Sequence, residues 1–204
     1  MALADSIIVH DLASSPKLHQ AIIASLTWQM TLGLVVIYLT VIIPAVSGAA
    51  HPPAFIGASI VLGTTLILLS AIDIRFLRLP NALTLPLLAA GLAFCVVFEW
   101  DDVRWRLAAA VFGFLILYAV AKLYFYLRGQ HGLGLGDAKL LAASGAWLGI
   151  EGVPSTLLIA SVSALCAALA TQRAGRPIVR NTRIPFGPFL ALGAWLTWFY
   201  GPMI

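Results

Sequence analysis

The run Ala54-Phe-Ile-Gly-Ala-Ser-Ile-Val-Leu-Gly-Thr-Thr-Leu-Ile-Leu-Leu-Ser-Ala-Ile72 contains no charged residue, and it is followed at once by Asp73-Ile-Arg75. An apolar stretch of about 20 residues is what a helix needs to cross a hydrocarbon core. The remainder of the chain has the same character: of 204 residues, 61% are hydrophobic and 10% are charged. Soluble domains carry roughly 25% charged residues, and a soluble fold of this length would lack the polar groups to cover its surface. Collagen-like, disordered and nucleic-acid-binding classes are excluded with it. The net charge of +4 is read as loop charge that sets membrane topology, with no nucleic acid as partner.

Outward from residues 54–72, the hydrophobic pattern predicts about seven spans, near 25–47, 54–72, 83–99, 106–127, 138–150, 155–171 and 185–202. The fold class is therefore all-α, a polytopic transmembrane helix bundle. The fifth span is short for a crossing. Residues 1–53, a polar opening (Ser14-Ser15-Pro16 reads as a helix start) and the first helix, form one part; residues 54–204 form the main membrane domain. The opening Met1-Ala-Leu-Ala-Asp5 has no basic segment before a short apolar core, so no cleaved signal peptide is expected.

Seven spans divide the loops between two sides. Lys17, Arg75, Arg78, Lys122, Arg128, Lys139, Arg173, Arg176, Arg180 and Arg183 fall on one side, ten of the twelve basic residues. Arg104 and Arg106 fall on the other, beside Glu99, Asp101, Asp102 and Glu151. The positive-inside rule makes the first side cytoplasmic and places the N-terminus there. Sorted by this topology, four of the eight acids sit in outer loops, and Asp5 and Asp11 in the polar opening. Asp73 and Asp137 remain, both at the cytoplasmic boundary and on different helices.

A carboxylate within hydrocarbon costs about 2.5–3.5 kcal/mol on insertion scales, which makes such residues functional candidates. Two carboxylates brought close cannot both ionise easily, so one holds a proton near neutral pH. One can then act as base on water while the other acts as acid toward a peptide carbonyl. The plainer roles are an ion pair of Asp73 with Arg75 or Arg78 and capping of the fifth helix by Asp137. Gly132, Gly134 and Gly136 alternate ahead of Asp137, giving a backbone that can approach a substrate strand closely. No GxxxxGK[ST] motif is present, so the glycines do not read as a phosphate loop.

Gly134-Leu135-Gly136-Asp137 with Lys139-Leu140-Leu141 resembles the GxGD-x-K segment of the type IV prepilin peptidases, intramembrane aspartyl proteases. Asp73 followed by Leu79-Pro80-Asn81-Ala-Leu-Thr84-Leu-Pro86 is similar to the family's other aspartate segment. Ile184-Pro185-Phe186-Gly187-Pro188-Phe189-Leu-Ala-Leu-Gly193 is similar to its last-helix motif, and the resemblance covers about residues 55–200. It implies that Asp73 and Asp137 are the catalytic pair, that Gly134 and Gly136 shape the loop carrying Asp137, and that Lys139 belongs to the motif. Pro80, Asn81, Pro185, Gly187 and Pro188 are implied as motif-supporting positions. The implied reaction is removal of the basic leader peptide from a prepilin or pseudopilin at the cytoplasmic face of a bacterial inner membrane. No metal or organic cofactor is called for.

Long family members carry an N-terminal region with paired CxxC motifs, associated with zinc and with N-methylation of the cleaved pilin. Residues 1–53 hold no cysteine, and the chain's Cys95 and Cys166 form no such pair, so peptidase activity without methylation is expected. The Arg173–Arg183 segment is read as a topology determinant and anionic-lipid contact. His131 is read as a loop residue, and His10, His19 and His51 are too scattered for a metal site. Trp28, Trp100, Trp105, Trp147, Trp195 and Trp198 are read largely as interfacial anchors. Gly91, Gly113, Gly145, Gly149 and Gly193 are read as close-packing positions. The loops at 74–82 and 128–137 are expected to move. A small proton-coupled transporter, using the two aspartates as a relay staggered across the bilayer, and a non-catalytic pilus-assembly protein are the alternative functions.

Overall fold

The computed structural model describes residues 52–129, 134–173 and 185–203. These residues form six α-helices: α1 Pro53–Phe76, α2 Asn81–Phe98, α3 Val103–Arg128, α4 Leu135–Leu148, α5 Gly152–Arg173 and α6 Gly187–Tyr200. A single 3-10 turn, Trp100–Asp102, leads into α3, and no strand occurs among the described residues. The span expected at 25–47 and the Arg176–Arg183 loop lie outside the described residues, as do His131 and Trp28.

Among the described residues, four segments are long and apolar enough to cross a membrane: Pro53–Phe76, Asn81–Phe98, Trp100–Arg128 and Gly152–Arg173. Helices α4 and α6 each have 14 residues, about 21 Å of rise, well short of a hydrocarbon core of about 30 Å. The expected full span over 185–202 is thus a shorter helix. Pro185 and Phe186 stay outside it, and Gly201, with φ 81°, ends it.

The shortest helices are the most enclosed. Every residue from Leu140 to Trp147 of α4 is buried. This helix packs against α2, α3, α5 and α6, while α1 packs chiefly against α6. Small residues permit that enclosure. A Cβ at Gly145 would stand 2.5 Å from the Ala109 carbonyl oxygen of α3, and one at Gly113 of α3 would stand 2.8 Å from the Leu141 carbonyl oxygen of α4. Gly193 of α6 meets the Thr156 carbonyl of α5 in the same way. Such close backbone approach gains dispersion contact where lipid removes any hydrophobic drive between helices. Gly149 does not belong to this set: its φ is 77° with open space around it, so it terminates α4.

Two of the tryptophans are core residues and not interfacial anchors. Trp147 and Trp195 are 2% and 0% exposed. The Trp147 indole lies on Gly91 of α2 and donates from Nε1 to the Leu87 carbonyl at 2.8 Å. Trp195 fills the space over Gly63 of α1. Glycine on the facing helix makes the slot that each ring occupies. Trp198, half-buried, donates from Nε1 to Ser59 Oγ at 2.8 Å. Trp100 and Trp105 are exposed near the start of α3, as anchors would be.

Near the C-terminal end of α4, Arg106 forms an ion pair with Glu99 and donates to the carbonyl oxygen of Trp147. It thereby ties the end of α2 and the start of α3 to the last turn of α4.

Candidate active site

Asp73 sits in the last turn of α1, which runs four residues beyond the predicted end of the span. Its carbonyl accepts from the Leu77 N–H at 2.8 Å, and Leu77 (φ 50°) turns the chain out of the helix in the left-handed region. Only Leu77 to Pro80 separate α1 from α2, so most of the loop expected at 74–82 is helical. The Asp73 side chain is 5% exposed, and its Oδ2 accepts from the backbone N–H of Gly187 at 2.9 Å. Gly187 is the first residue of α6. A Cβ there would stand 2.7 Å from Asp73 Oδ2, which explains glycine at this point of the Pro185-Phe186-Gly187-Pro188 segment. Pro188 follows at the second helical position, where a missing N–H leaves no bond unmade.

Asp137 sits in the first turn of α4, three residues after Gly134. Its Oδ2 accepts from the Gly134 N–H at 3.3 Å, and its own N–H donates to the Gly134 carbonyl at 3.2 Å. The capping role open to this residue is therefore real. It coexists with a second placement, because Asp137, 8% exposed, lines the same cleft as Asp73. The cleft, about 270 Å³, is also lined by Leu77, Arg78, Leu79, Gly134, Leu135 and Gly136. Gly136 lies against Leu79: a Cβ would meet the Leu79 Cβ at 2.8 Å. Gly136 thus lets the α1–α2 connection pack against the start of α4; Gly132 lies outside the described residues.

The ion pair of Asp73 with Arg75 or Arg78 does not form; among the described residues the ion pair found is Arg106–Glu99. The Asp137 carboxyl is pushed up to about 7, by burial first and by the neighbouring Asp73 second, with the Gly134 N–H offsetting part. Helix α4 is not one of the membrane-length segments, and Asp137 lies at its loop end. A pair that shares one proton near neutral pH has the two protonation states that general acid–base hydrolysis uses.

Lys139 forms no ion pair with either carboxylate. Its Nζ donates to Asn81 Oδ1 at 2.7 Å, so the motif lysine and the motif asparagine meet across the α2–α4 boundary. Pro80 sets the extended backbone from which α2 starts. The lining residues Leu77, Arg78, Leu79 and Leu135 were not singled out from the sequence for the site; their signal is position alone, between Asp73 and Pro80 or between the glycines. No group of three or more His, Cys, Asp or Glu able to hold a metal occurs among the described residues.

The fold and the cleft define a class: an all-helical membrane protein with two buried aspartates opening onto one cavity. The family model described as the type IV leader peptidase family matches residues 60–169, more than half of the chain. The chain belongs to that family. It is 43% identical over 136 residues to the prepilin leader peptidase/N-methyltransferase of Burkholderia pseudomallei strain 1026b, covering 67% of this chain and 44% of the relative. The protein of the same name from Xanthomonas campestris pv. campestris is 40% identical over 144 residues, 70% of this chain and 50% of the relative. That of Dichelobacter nodosus is 37% identical over 155 residues, 76% and 52%. The chain thus spans about half the length of the curated relatives it matches. No solved structure matches it.

Proposed function

We propose that this chain is an intramembrane aspartyl endopeptidase that removes the basic leader peptide from type IV prepilins or pseudopilins, with Asp73 and Asp137 as the catalytic pair. The observation that carries the reading is the cleft itself. Two aspartates from helices distant in sequence open onto one cavity, each carboxylate held by a glycine N–H and neither ion-paired among the described residues. A relay for a transported proton calls for carboxylates staggered along a path, which this convergence does not supply.

In the proposed reaction the unprotonated carboxylate takes a proton from water as its oxygen adds to the scissile carbonyl carbon. The protonated carboxyl gives its proton to the carbonyl oxygen. Collapse of the tetrahedral intermediate then breaks the C–N bond: the leaving amine takes a proton from the carboxyl that had accepted it from water, and the other carboxylate takes a hydroxyl proton as the C=O re-forms, so the pair again holds one proton. Gly187 and Gly134 hold the two carboxylates through their N–H groups; Gly136 lets Leu79 close the cleft wall. Residues 54–204 form the catalytic domain in this reading, and residues 1–53 a separate N-terminal part. The site faces the cytoplasm at a bacterial inner membrane, with the N-terminus on the same side and anionic lipid beside the basic loops. Cleavage proceeds without N-methylation, since no CxxC pair is present in residues 1–204.

The test is co-expression with a prepilin. Wild type is expected to release the leader, and Asp73→Asn and Asp137→Asn each to abolish cleavage while still accumulating in the membrane. Normal processing by either variant overturns the reading. Mass spectrometry of the product, with a methyl donor supplied, is expected to show an unmodified new N-terminus; a gain of one methyl group overturns the second part.

A further inference from the structure

The two carboxylate-bearing helices are not held together by packing against each other. Helix α1 leans chiefly on α6, and α4 leans on α3, α2 and α6. The glycine N–H donors hold each carboxylate to its own side of the cleft: Gly187 ties Asp73 to α6, and Gly134 ties Asp137 to the start of α4. Besides α6, on which both helices lean, the Asp73 side is joined to the Asp137 side by the connection Leu77–Pro80 and the start of α2. That connection touches α4 at two adjacent points. Leu79 rests on Gly136, one residue before Asp137. Asn81, the first residue of α2, accepts the Lys139 ammonium, two residues after Asp137.

From this geometry we infer that Lys139 is a positioning residue, which with Asn81 forms a strut that sets the spacing of the Asp73 and Asp137 carboxylates. The inference rests on the protease reading above. Lys139 and Asn81 are 58 positions apart in the chain, and the 2.7 Å contact between them completes a closed circuit. The circuit runs from Asp73 through Leu77 and Leu79 to Asn81, across to Lys139, and back to Asp137. A hydrogen bond from an ionised donor is stronger than one between neutral groups, and this one spans from the start of α2 to the first turns of α4. The ammonium is directed at an amide oxygen and forms no ion pair with either aspartate. Its role is therefore separation and orientation, and a small displacement of a reacting group is costly in rate.

The expected kinetic pattern in prepilin cleavage is specific. Lys139→Met and Asn81→Ala each lower kcat about tenfold or more with KM unchanged, and each moves the alkaline limb of the pH profile, because the spacing of the two carboxylates sets how strongly one raises the other. The double variant is no worse than either single one, as expected for two ends of one contact. Lys139→Arg and Asn81→Asp retain most activity, because donor and acceptor survive. Multiplying effects in the double variant overturn the inference. So does full activity of Asn81→Ala beside an inactive Lys139→Met, which would give the lysine a chemical role of its own. A second measurement does not depend on activity. In Asp73→Cys/Asp137→Cys protein that also carries Cys166→Ser, a short bis-thiol-reactive reagent is expected to cross-link the two positions, and Lys139→Met to lower the yield. An unchanged yield overturns the strut even where no prepilin is cleaved. Failure of wild type to cleave any prepilin, with cross-linking still dependent on Lys139, overturns the protease reading alone.

Discussion

The two ends of α4 treat a carboxylate in opposite ways. At the C-terminal end, Glu99 receives a guanidinium: Arg106 pairs with it and caps the Trp147 carbonyl with the same side chain. At the N-terminal end, Asp73 and Asp137 receive only backbone N–H groups, from Gly187 and Gly134, although Arg78 lines the same cleft. Glu99 is held by an opposite charge, whereas Asp137 is held by a glycine N–H and pushed up by burial in spite of that N–H. In the proposed reaction the difference separates an acid that fastens helices from an acid that exchanges protons with a substrate.

The comparison can be broken at the cleft. Gly187→Ala puts a methyl group where 2.7 Å separates it from Asp73 Oδ2. It is expected to lower cleavage about 100-fold, an effect of the size seen when a positioned group is misplaced. Membrane accumulation of the protein should be unchanged, and a Gly187→Ala protein with wild-type activity would show that the N–H contact does not position Asp73.

Proton exchange sharpens the comparison. The Asp137 carboxyl lies at about 7, so raising pH through that value removes the proton that the pair needs, and cleavage should fall on the alkaline side. An acid limb is expected where the second carboxylate becomes protonated. The initial rate against pH, at saturating prepilin, measures both limbs; a flat profile between pH 6 and about 8.5 would contradict a pair sharing one proton.

The fastening end gives the smallest effect on chemistry. Arg106→Met removes the ion pair and leaves the Trp147 carbonyl without its donor. Stability is expected to drop by about 1–3 kcal/mol, read as a lower unfolding temperature in detergent. Cleavage at permissive temperature and the alkaline limb should both stay in place.

Much of this arrangement was readable from residue order, for reasons that differ by element. Uncharged runs bounded by charge mark helices plainly, and α1, α2, α3 and α5 follow them to within a few residues. Asp73 and Asp137 stood out because acids are scarce near apolar runs. Which face of each helix turns inward was not readable. These helices are apolar all round, so no polar stripe distinguishes lipid from core. Trp147 and Trp195 therefore read as anchors, while the glycines that receive them, Gly91 and Gly63, lie on other helices. Gly187 was legible as part of a motif, but its contact with Asp73 spans 114 positions. The meeting of Lys139 with Asn81 was hidden for the same reason.

The length of α4 also bears on how hydrolysis obtains its water. At 14 residues the helix rises about 21 Å, some 9 Å less than a hydrocarbon core. Its C-terminal end is tied through Arg106 to Glu99 and to the start of α3, in the part of the chain whose acids are expected to mark one surface of the membrane. On the proposed topology the missing rise would fall at the other end, where Asp137 stands in the first turn of α4. In the proposed protease such a shortfall would let solvent reach down to the two carboxylates from that surface.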